Sequence, residues 1–272
     1  MASVLSVSDL KVRFKDEDST RFAVKGISFD INEGEIVGLV GESGSGKSVT
    51  AMSIGGLLAK ERAEISGSIT LDGKEIFNCS SKEMRSLQGD ELGIVFQEPM
   101  SAMDPLIKVG KQVEEPLKIH KKMTKKERYY SAIKALSMAE LDEPKEVYDK
   151  YPHELSGGML QRAMIAGAII TNPKLLLADE PTTALDVVVQ AQILDLLKRL
   201  NEKHKMAILF ISHDLNVVRK ICNRVIVMKQ GEIVEMGDAE SVFANPKHEY
   251  TRELIEAIPS RNKADRKESL DG

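Results

Sequence analysis

The first third of the chain passes through three hydrophobic patterns. Val4-Leu5-Ser6-Val7, Lys11-Val12-Arg13-Phe14 and Ile27-Ser28-Phe29-Asp30-Ile31 alternate apolar and polar positions, the period of a strand with one buried face. The polar stretch from Lys15 to Ser19 and the cluster Asn32-Glu33-Gly34-Glu35 read as turns, so this opening predicts antiparallel β structure. Ile36-Val37-Gly38-Leu39-Val40 is apolar almost throughout and predicts a short strand buried on both faces. A Gly/Ser loop follows it, and then Ser48 to Leu58, which is compatible with a helix.

Residues 65–98 read as further short strands around a Leu71-Asp72-Gly73-Lys74 turn. Over about residues 100–165 the character changes to Lys, Glu, Ala and Leu, with helical spacing at Ile133, Leu136 and Met138, which predicts a helical insert. Leu175-Leu176-Leu177-Ala178-Asp179 and Ala207-Ile208-Leu209-Phe210-Ile211 repeat the buried-strand pattern, each ahead of helical sequence. Val225–Met228 and Gly231–Val234 form a candidate hairpin. Strands alternating with helices predict an α/β core of parallel strands, joined by an antiparallel β subdomain and a helical subdomain. The domain is expected over residues 1–259, and the polar stretch 260–272 reads as disordered.

Composition removes several functional classes. The balance of 38 Lys and Arg against 42 Asp and Glu, a net charge of −4, offers no attraction for nucleic acid. Trp is absent and aromatics are 4%, so surfaces for stacking bases are scarce as well. Cys79 and Cys222 share no ligand spacing, and neither do His120, His153, His204 and His248. The start of the chain lacks the basic-then-apolar pattern of a signal peptide, and no apolar run reaches the roughly 20 residues needed to cross a bilayer. The expectation is a protein that meets a membrane only through partners. The basic run Lys121 to Arg128 is read as a solvated loop entering a helix capped by Thr124, with Glu127 three residues on.

The most specific chemistry lies in the loop after the first buried strand. Gly41-Glu42-Ser43-Gly44-Ser45-Gly46-Lys47-Ser48 matches G-x-x-x-x-G-K-[ST] in full. Glycines let the backbone curl until its N–H groups face phosphate oxygens, and the following helix directs its positive end to the same point. Lys47 can then reach the β- and γ-phosphates, and the Ser48 hydroxyl is a hard oxygen ligand for Mg²⁺. The strand Leu175–Asp179 ends in Asp179-Glu180. With a phosphate loop upstream, Asp179 is expected to hold Mg²⁺ and Glu180 to polarise the attacking water; taken alone, such a pair can simply cap a strand or helix.

Leu155-Ser156-Gly157-Gly158-Met159-Leu160-Gln161-Arg162, set between these two elements, resembles the L-S-G-G-Q signature of the ATP-binding-cassette family. The resemblance extends over about residues 4–258 and includes Gln97 after Gly93-Ile94-Val95-Phe96, the Ala184-Leu185-Asp186 turn and His213. It implies a P-loop fold with a RecA-like core, and two cassettes with ATP held between the phosphate loop of one and the signature of the other. It implies nucleotide contacts from Gly41, Ser43, Gly44, Ser45, Gly46, Lys47, Ser48 and Val49, and, on the partner's nucleotide, from Ser156, Gly157 and Gly158. Asp186 would run along the dimer seam, Gln97 would touch Mg²⁺ and the lytic water, and His213 would hold Glu180 and the γ-phosphate. Phe14 is the candidate to stack on adenine; Phe22 is its rival and is expected in the core.

Within that family the chain looks like the peptide and nickel import branch. The resemblance rests on Phe96-Gln97-Glu98-Pro99-Met100-Ser101-Ala102-Met103-Asp104-Pro105, on Ala178 to Asp186, and on Pro246-Lys247-His248-Glu249-Tyr250-Thr251-Arg252-Glu253-Leu254. It implies a second, homologous cassette, two membrane permease subunits and an external solute-binding protein as partners, with this chain peripheral on the cytoplasmic face of the plasma membrane. Met159 stands where the general signature has Gln, as is usual in this branch, and Leu160 stands where a basic residue is common. Longer branch members carry a cysteine-rich extension that can hold an iron–sulfur cluster; this sequence lacks those cysteines, so no cluster is expected. The alternatives are a cassette of an export-type or lipoprotein-release system and a non-transport ATPase of the same family. A DNA-maintenance ATPase would need a long coiled coil between phosphate loop and signature, where this chain has only a short gap.

Overall fold

The computed structural model describes residues 3–15, 22–59, 61–183 and 185–258. Ten strands are seen among them: β1 (Ser3–Phe14), β2 (Phe22–Asn32), β3 (Ile36–Val40), β4 (Ala63–Leu71), β5 (Lys74–Glu75), β6 (Leu92–Val95), β7 (Leu175–Asp179), β8 (Ala207–Ile211), β9 (Arg224–Lys229) and β10 (Glu232–Asp238). They form a four-stranded antiparallel sheet in the order β2-β1-β4-β5 and a six-stranded sheet in the order β10-β9-β3-β8-β7-β6. In the larger sheet every pairing is parallel except the edge hairpin β9–β10.

The helices are α1 (Lys47–Ile54), α2 (Ser81–Leu87), α3 (Pro99–Ala102), α4 (Val109–Val113), α5 (Glu115–His120), α6 (Lys125–Met138), α7 (Pro144–Asp149), α8 (Gly157–Ile169), α9 (Val187–His204), α10 (Leu215–Ile221), α11 (Ala239–Ala244) and α12 (Glu249–Glu256). From α3 to α8 the chain between β6 and β7 contains helices and no strand among the described residues. Thr124 caps α6 in a reciprocal box with Glu127, as the sequence suggested.

Side-chain alternation in the parallel strands sorts the core into two faces. Ile36, Val40, Leu176, Ala178, Ile208 and Phe210 pack toward α6, α8, α9 and α10. Val37, Leu39, Leu175, Leu177, Leu209 and Ile211 pack on the other face against α1 and the antiparallel sheet. β3 and β8 are buried at every residue, which is why they read as continuous apolar runs rather than alternating ones. The helix α1 therefore lies between the two sheets, with Ala51 and Ile54 in the core, and its N-terminus is fixed at the carboxyl end of β3.

Three local expectations meet a different structure. Val4–Val7 and Lys11–Phe14 are one strand, not two: Asp9 at φ 47° marks an irregularity where the pairing with β2 shifts register. Residues 65–98 include the helix α2, which has no fully buried side chain; only Met84 and Leu87 lean on the core, too few for a clear apolar stripe, and its clearest sequence signal is the Ser80/Glu83 capping box. Phe22, expected in the core, is 42% exposed, with the Arg13 guanidinium 5.6 Å from its ring centre. Phe22 opens the edge strand β2, opposite Arg13 and just before a register shift, so its ring lies at the open end of the sheet rather than in the core. The Lys15–Ser19 turn extends outside the described residues, and the 260–272 tail lies wholly outside them.

Phe210 is fully buried at the centre of β8. Phe210→Ala should cost about 3–5 kcal/mol, a large part of the total stability of an ordinary domain. Urea unfolding monitored by circular dichroism measures this; a loss below about 1 kcal/mol would contradict the packing described.

Candidate active site

The phosphate loop is bent by close backbone approaches that a side chain would obstruct. Gly41 follows β3 at φ 147°, where a Cβ would lie 2.2 Å from the Met228 carbonyl oxygen at the end of β9. Gly46 sits at φ 105°, where a Cβ would lie 2.7 Å from the Ala23 carbonyl oxygen. Gly44, at φ 77°, faces open space. The loop is also tied from outside: Gly231 N–H donates to the Ser45 carbonyl at 2.9 Å, and Ser45 N–H donates to the Glu42 carbonyl at 3.2 Å.

Gly46 caps α1 without a side chain, and the first intrahelical bond runs from Thr50 N–H to the Gly46 carbonyl at 2.9 Å. The N–H groups of Lys47, Ser48 and Val49 thus have no acceptor within the helix, and the helix dipole adds positive potential at the same end. Lys47 is nearly buried, and its ammonium donates to the carbonyls of Gly41 at 2.8 Å and Glu42 at 2.9 Å. Burial pushes the Lys47 pKa below the usual lysine range, opposed by the charges of Glu180, Asp179 and Glu42.

The end of β7 and the segments after β6 and β8 converge on this loop. At the end of β7, Asp179 accepts from the Ser48 hydroxyl at 3.3 Å. Burial raises the Asp179 pKa and the neighbouring Glu180 charge adds to this, while Ser48 and Lys47 oppose it. Glu180 follows at φ 47°, an uncommon backbone conformation for a side chain of this size, with its N–H donating to Ile211 at 3.0 Å. Its carboxylate accepts from Gln97 Nε2 at 3.2 Å and from the Thr183 hydroxyl at 2.9 Å, and lies 3.0 Å from His213 Nδ1. Gln97 comes from the segment after β6, and His213 from the segment after β8.

These groups surround a cavity of about 680 Å³ lined by Ala23, Ser43, Gly44, Gly46, Lys47, Ser48, Val49, Gln97, Glu180, Thr183 and His213. Gly41 and Ser45 lie behind the loop rather than on its open face, with Ser45 buried. Phe14 is half-buried against the core and is not part of the cavity wall. Thr183 and Ala23 are the lining residues that sequence reasoning passes over. Thr183 is legible as the third residue after Glu180 in the same turn, whereas Ala23 carries no chemical signal.

The signature residues form a second, separate cluster. Ser156 is exposed and caps α8 by accepting from Met159 N–H at 3.3 Å. Asp186 caps α9 by accepting from Val188 and Val189 N–H, each at 3.0 Å. The two helix starts are in contact: a Cβ on Gly158 would lie 2.7 Å from Val189 Cγ1. Arg162 secures α8 by donating to the Ala139 carbonyl at 3.1 Å, to Glu140 at 3.0 Å and to Gln192 at 3.1 Å. Ser156, Gly157, Gly158 and Asp186 do not line the cavity that holds Lys47. Ala184, between Thr183 and Leu185, lies outside the described residues.

Comparison with known proteins agrees with this geometry. Residues 24–183 match the ABC transporter family, and residues 234–272 match the oligopeptide/dipeptide transporter C-terminal region. The probable peptide ABC transporter ATP-binding protein y4tR of Sinorhizobium fredii is 44% identical over 96% of this chain and 78% of its own length. The oligopeptide transport ATP-binding protein OppD of Haemophilus influenzae is 45% identical, covering 95% and 80%. The dipeptide transport ATP-binding protein DppD of Escherichia coli is also 45% identical, covering 94% and 79%. The dimeric ATP-binding cassette MJ0796, in a post-hydrolysis state bound to ADP and Pi, superposes with a TM-score of 0.78 at 33% identity, over 86% of this chain and 98% of that one. With a phosphate loop, a carboxylate held beside it and a signature helix all in family order, the chain belongs to the ABC transporter ATP-binding family, in the branch defined by the oligopeptide/dipeptide transporter C-terminal region.

Proposed function

We propose that this chain binds and hydrolyses Mg·ATP as one of two cassettes that drive peptide uptake through separate membrane subunits. The observation that carries the catalytic part of this reading is the carboxylate of Glu180, held by Gln97 and Thr183 and close to His213, at the mouth of the phosphate loop.

The steps follow from the groups present. Phosphate oxygens entering the cavity meet the N–H groups of Lys47, Ser48 and Val49, which lack helix acceptors. Lys47 exchanges its two carbonyl acceptors for the β- and γ-phosphates, a short movement because its ammonium already points into the loop. Ser48 and Asp179 offer hard oxygen donors 3.3 Å apart, and Gln97 donates its amide N–H to Glu180, which leaves its amide oxygen as a third donor. This set suits Mg²⁺, which when bound neutralises charge on the phosphates and polarises them. Glu180 then orients and deprotonates the attacking water, while His213 keeps the carboxylate in register and reaches the γ-phosphate. Phe14 is assigned the adenine face.

One copy supplies only half of the contacts in this reading. Ser156, Gly157 and Gly158 lie outside the cavity and are free to meet the nucleotide of a second cassette, with Asp186 along the seam. The dimeric form of the MJ0796 cassette supports this arrangement. Each ATP adds contacts that exist only in the closed pair, so binding shifts the pair toward closure and hydrolysis releases it. Helices of the insert transmit that movement to two membrane permeases. Among the described residues no helix is long and apolar enough to cross a membrane, which agrees with a peripheral place on the cytoplasmic face. The peptide class is supported by the relatives, which are named for peptide, oligopeptide and dipeptide transport, and by the matched C-terminal region. The second cassette is a different, homologous chain, and a solute-binding protein delivers the peptide outside.

Lys47→Ala should abolish measurable ATP turnover in the assembled system; phosphate release at the wild-type rate would refute the phosphate-loop assignment. Glu180→Gln should keep ATP affinity and lower turnover by about 10²–10⁴-fold, trapping a closed, ATP-loaded pair. Single-turnover phosphate release together with sedimentation measures both, and normal turnover would exclude Glu180 as the base that activates water.

A further inference from the structure

The phosphate loop is held from an unexpected direction. Tyr250, in α12 and 3% exposed, accepts a hydrogen bond at its hydroxyl from Glu42 N–H at 3.0 Å. That N–H belongs to the peptide group joining Gly41 and Glu42, and the carbonyl of the same group accepts from the Lys47 ammonium at 2.8 Å. One peptide plane thus has Tyr250 on one side and the phosphate-binding lysine on the other. Gly41, which precedes this plane, has no Cβ and sits at φ 147°, so its own conformation restrains the plane weakly.

The tyrosine is itself firmly placed. Lys229 Nζ lies 4.4 Å from its ring centre, at the end of β9. The start of α12 is tied to β10 by Glu235, whose carboxylate accepts from Lys247 N–H at 2.8 Å and His248 N–H at 3.0 Å. His248 Nδ1 in turn accepts from Tyr250 N–H at 3.1 Å. A continuous set of hydrogen bonds therefore runs from β10 through the start of α12 to the Gly41–Glu42 peptide.

We propose that Tyr250 is a positioning residue for ATP binding: its hydroxyl fixes the Gly41–Glu42 peptide and so holds the curled phosphate loop, with its inward-facing N–H groups, in the shape that receives the nucleotide. The C-terminal region that marks this branch, residues 234–272, would then act on the nucleotide site itself as well as extending the fold. This rests on the reading of that loop as the ATP site.

The test compares wild type, Tyr250→Phe and Lys47→Ala as full-length chains, by titration with a fluorescent ATP analogue in the presence of Mg²⁺. Urea unfolding of each is followed in parallel, and ATPase kinetics of the first two are measured. Phenylalanine keeps the ring and its contact with Lys229, so the chain should stay folded, with only a modest fall in the unfolding midpoint from the lost hydrogen bond. Losing one well-placed hydrogen bond should weaken nucleotide affinity about three- to tenfold, and raise KM for ATP by the same factor with kcat unchanged. Wild-type affinity in Tyr250→Phe, with or without a fall in stability, overturns the proposal while Lys47→Ala is still impaired. Wild-type affinity in Lys47→Ala overturns the reading of the loop as the ATP site, and the Tyr250 proposal with it.

Discussion

Positive-φ glycines and close backbone contacts hold the loop after β3 in a shape that leaves the first turn of α1 with donors and no acceptors. Gly41 and Gly46 pass too near the carbonyls of Met228 and Ala23 for any side chain, and Gly231 fastens the loop through the Ser45 carbonyl. The N–H groups of that turn, the helix dipole and a nearly buried ammonium then face one cavity. Such a concentration of uncompensated positive potential is costly unless an anion meets it. Asp179 and Glu180, at the end of the neighbouring strand, answer part of it. In the proposed function they also supply the oxygens that a Mg-bound phosphate chain and its attacking water would require.

The rest of the architecture can be understood as support for that loop. Parallel strands bring the ends of β3, β7 and β8 and the segment after β6 to one edge, where ligands of open α/β sheets bind. The antiparallel sheet and α1 cover one face of the parallel sheet, and helices of the insert together with α9 and α10 cover the other. The signature helix α8 belongs to that second layer, with its start against α9. Its exposed Ser156 and Gly157 are thereby kept apart from the loop of the same copy, and the proposed second cassette is what brings the two kinds of surface together.

Much of this is legible in the residues, for physical reasons that differ by element. β3, β7 and β8 are plain because burial on both faces demands unbroken apolar runs. The phosphate loop is plain because its chemistry needs fixed residue types at fixed spacing. Gln97 and His213 carry no such local signal and are reached only through family resemblance. The short helix α2 escapes periodicity because only Met84 and Leu87 turn half-buried toward the core, and Phe22 is misplaced because its neighbours alternate like those of any half-buried strand. The strand order, with β3 between β8 and β9, is a long-range arrangement that local periodicity does not encode. Tyr250 stands out in the sequence only as part of a branch motif; its bond to Glu42 spans 208 positions and is visible only in the fold.

That this cassette powers a peptide importer is tested most directly by purifying the tagged full-length chain from membranes of its native host and identifying what accompanies it. A second, homologous cassette and two proteins with multiple membrane spans should be recovered, together with an external peptide-binding protein. Recovery with ribosomes or DNA, or with no membrane protein at all, would contradict the transport role while leaving the ATP chemistry in place.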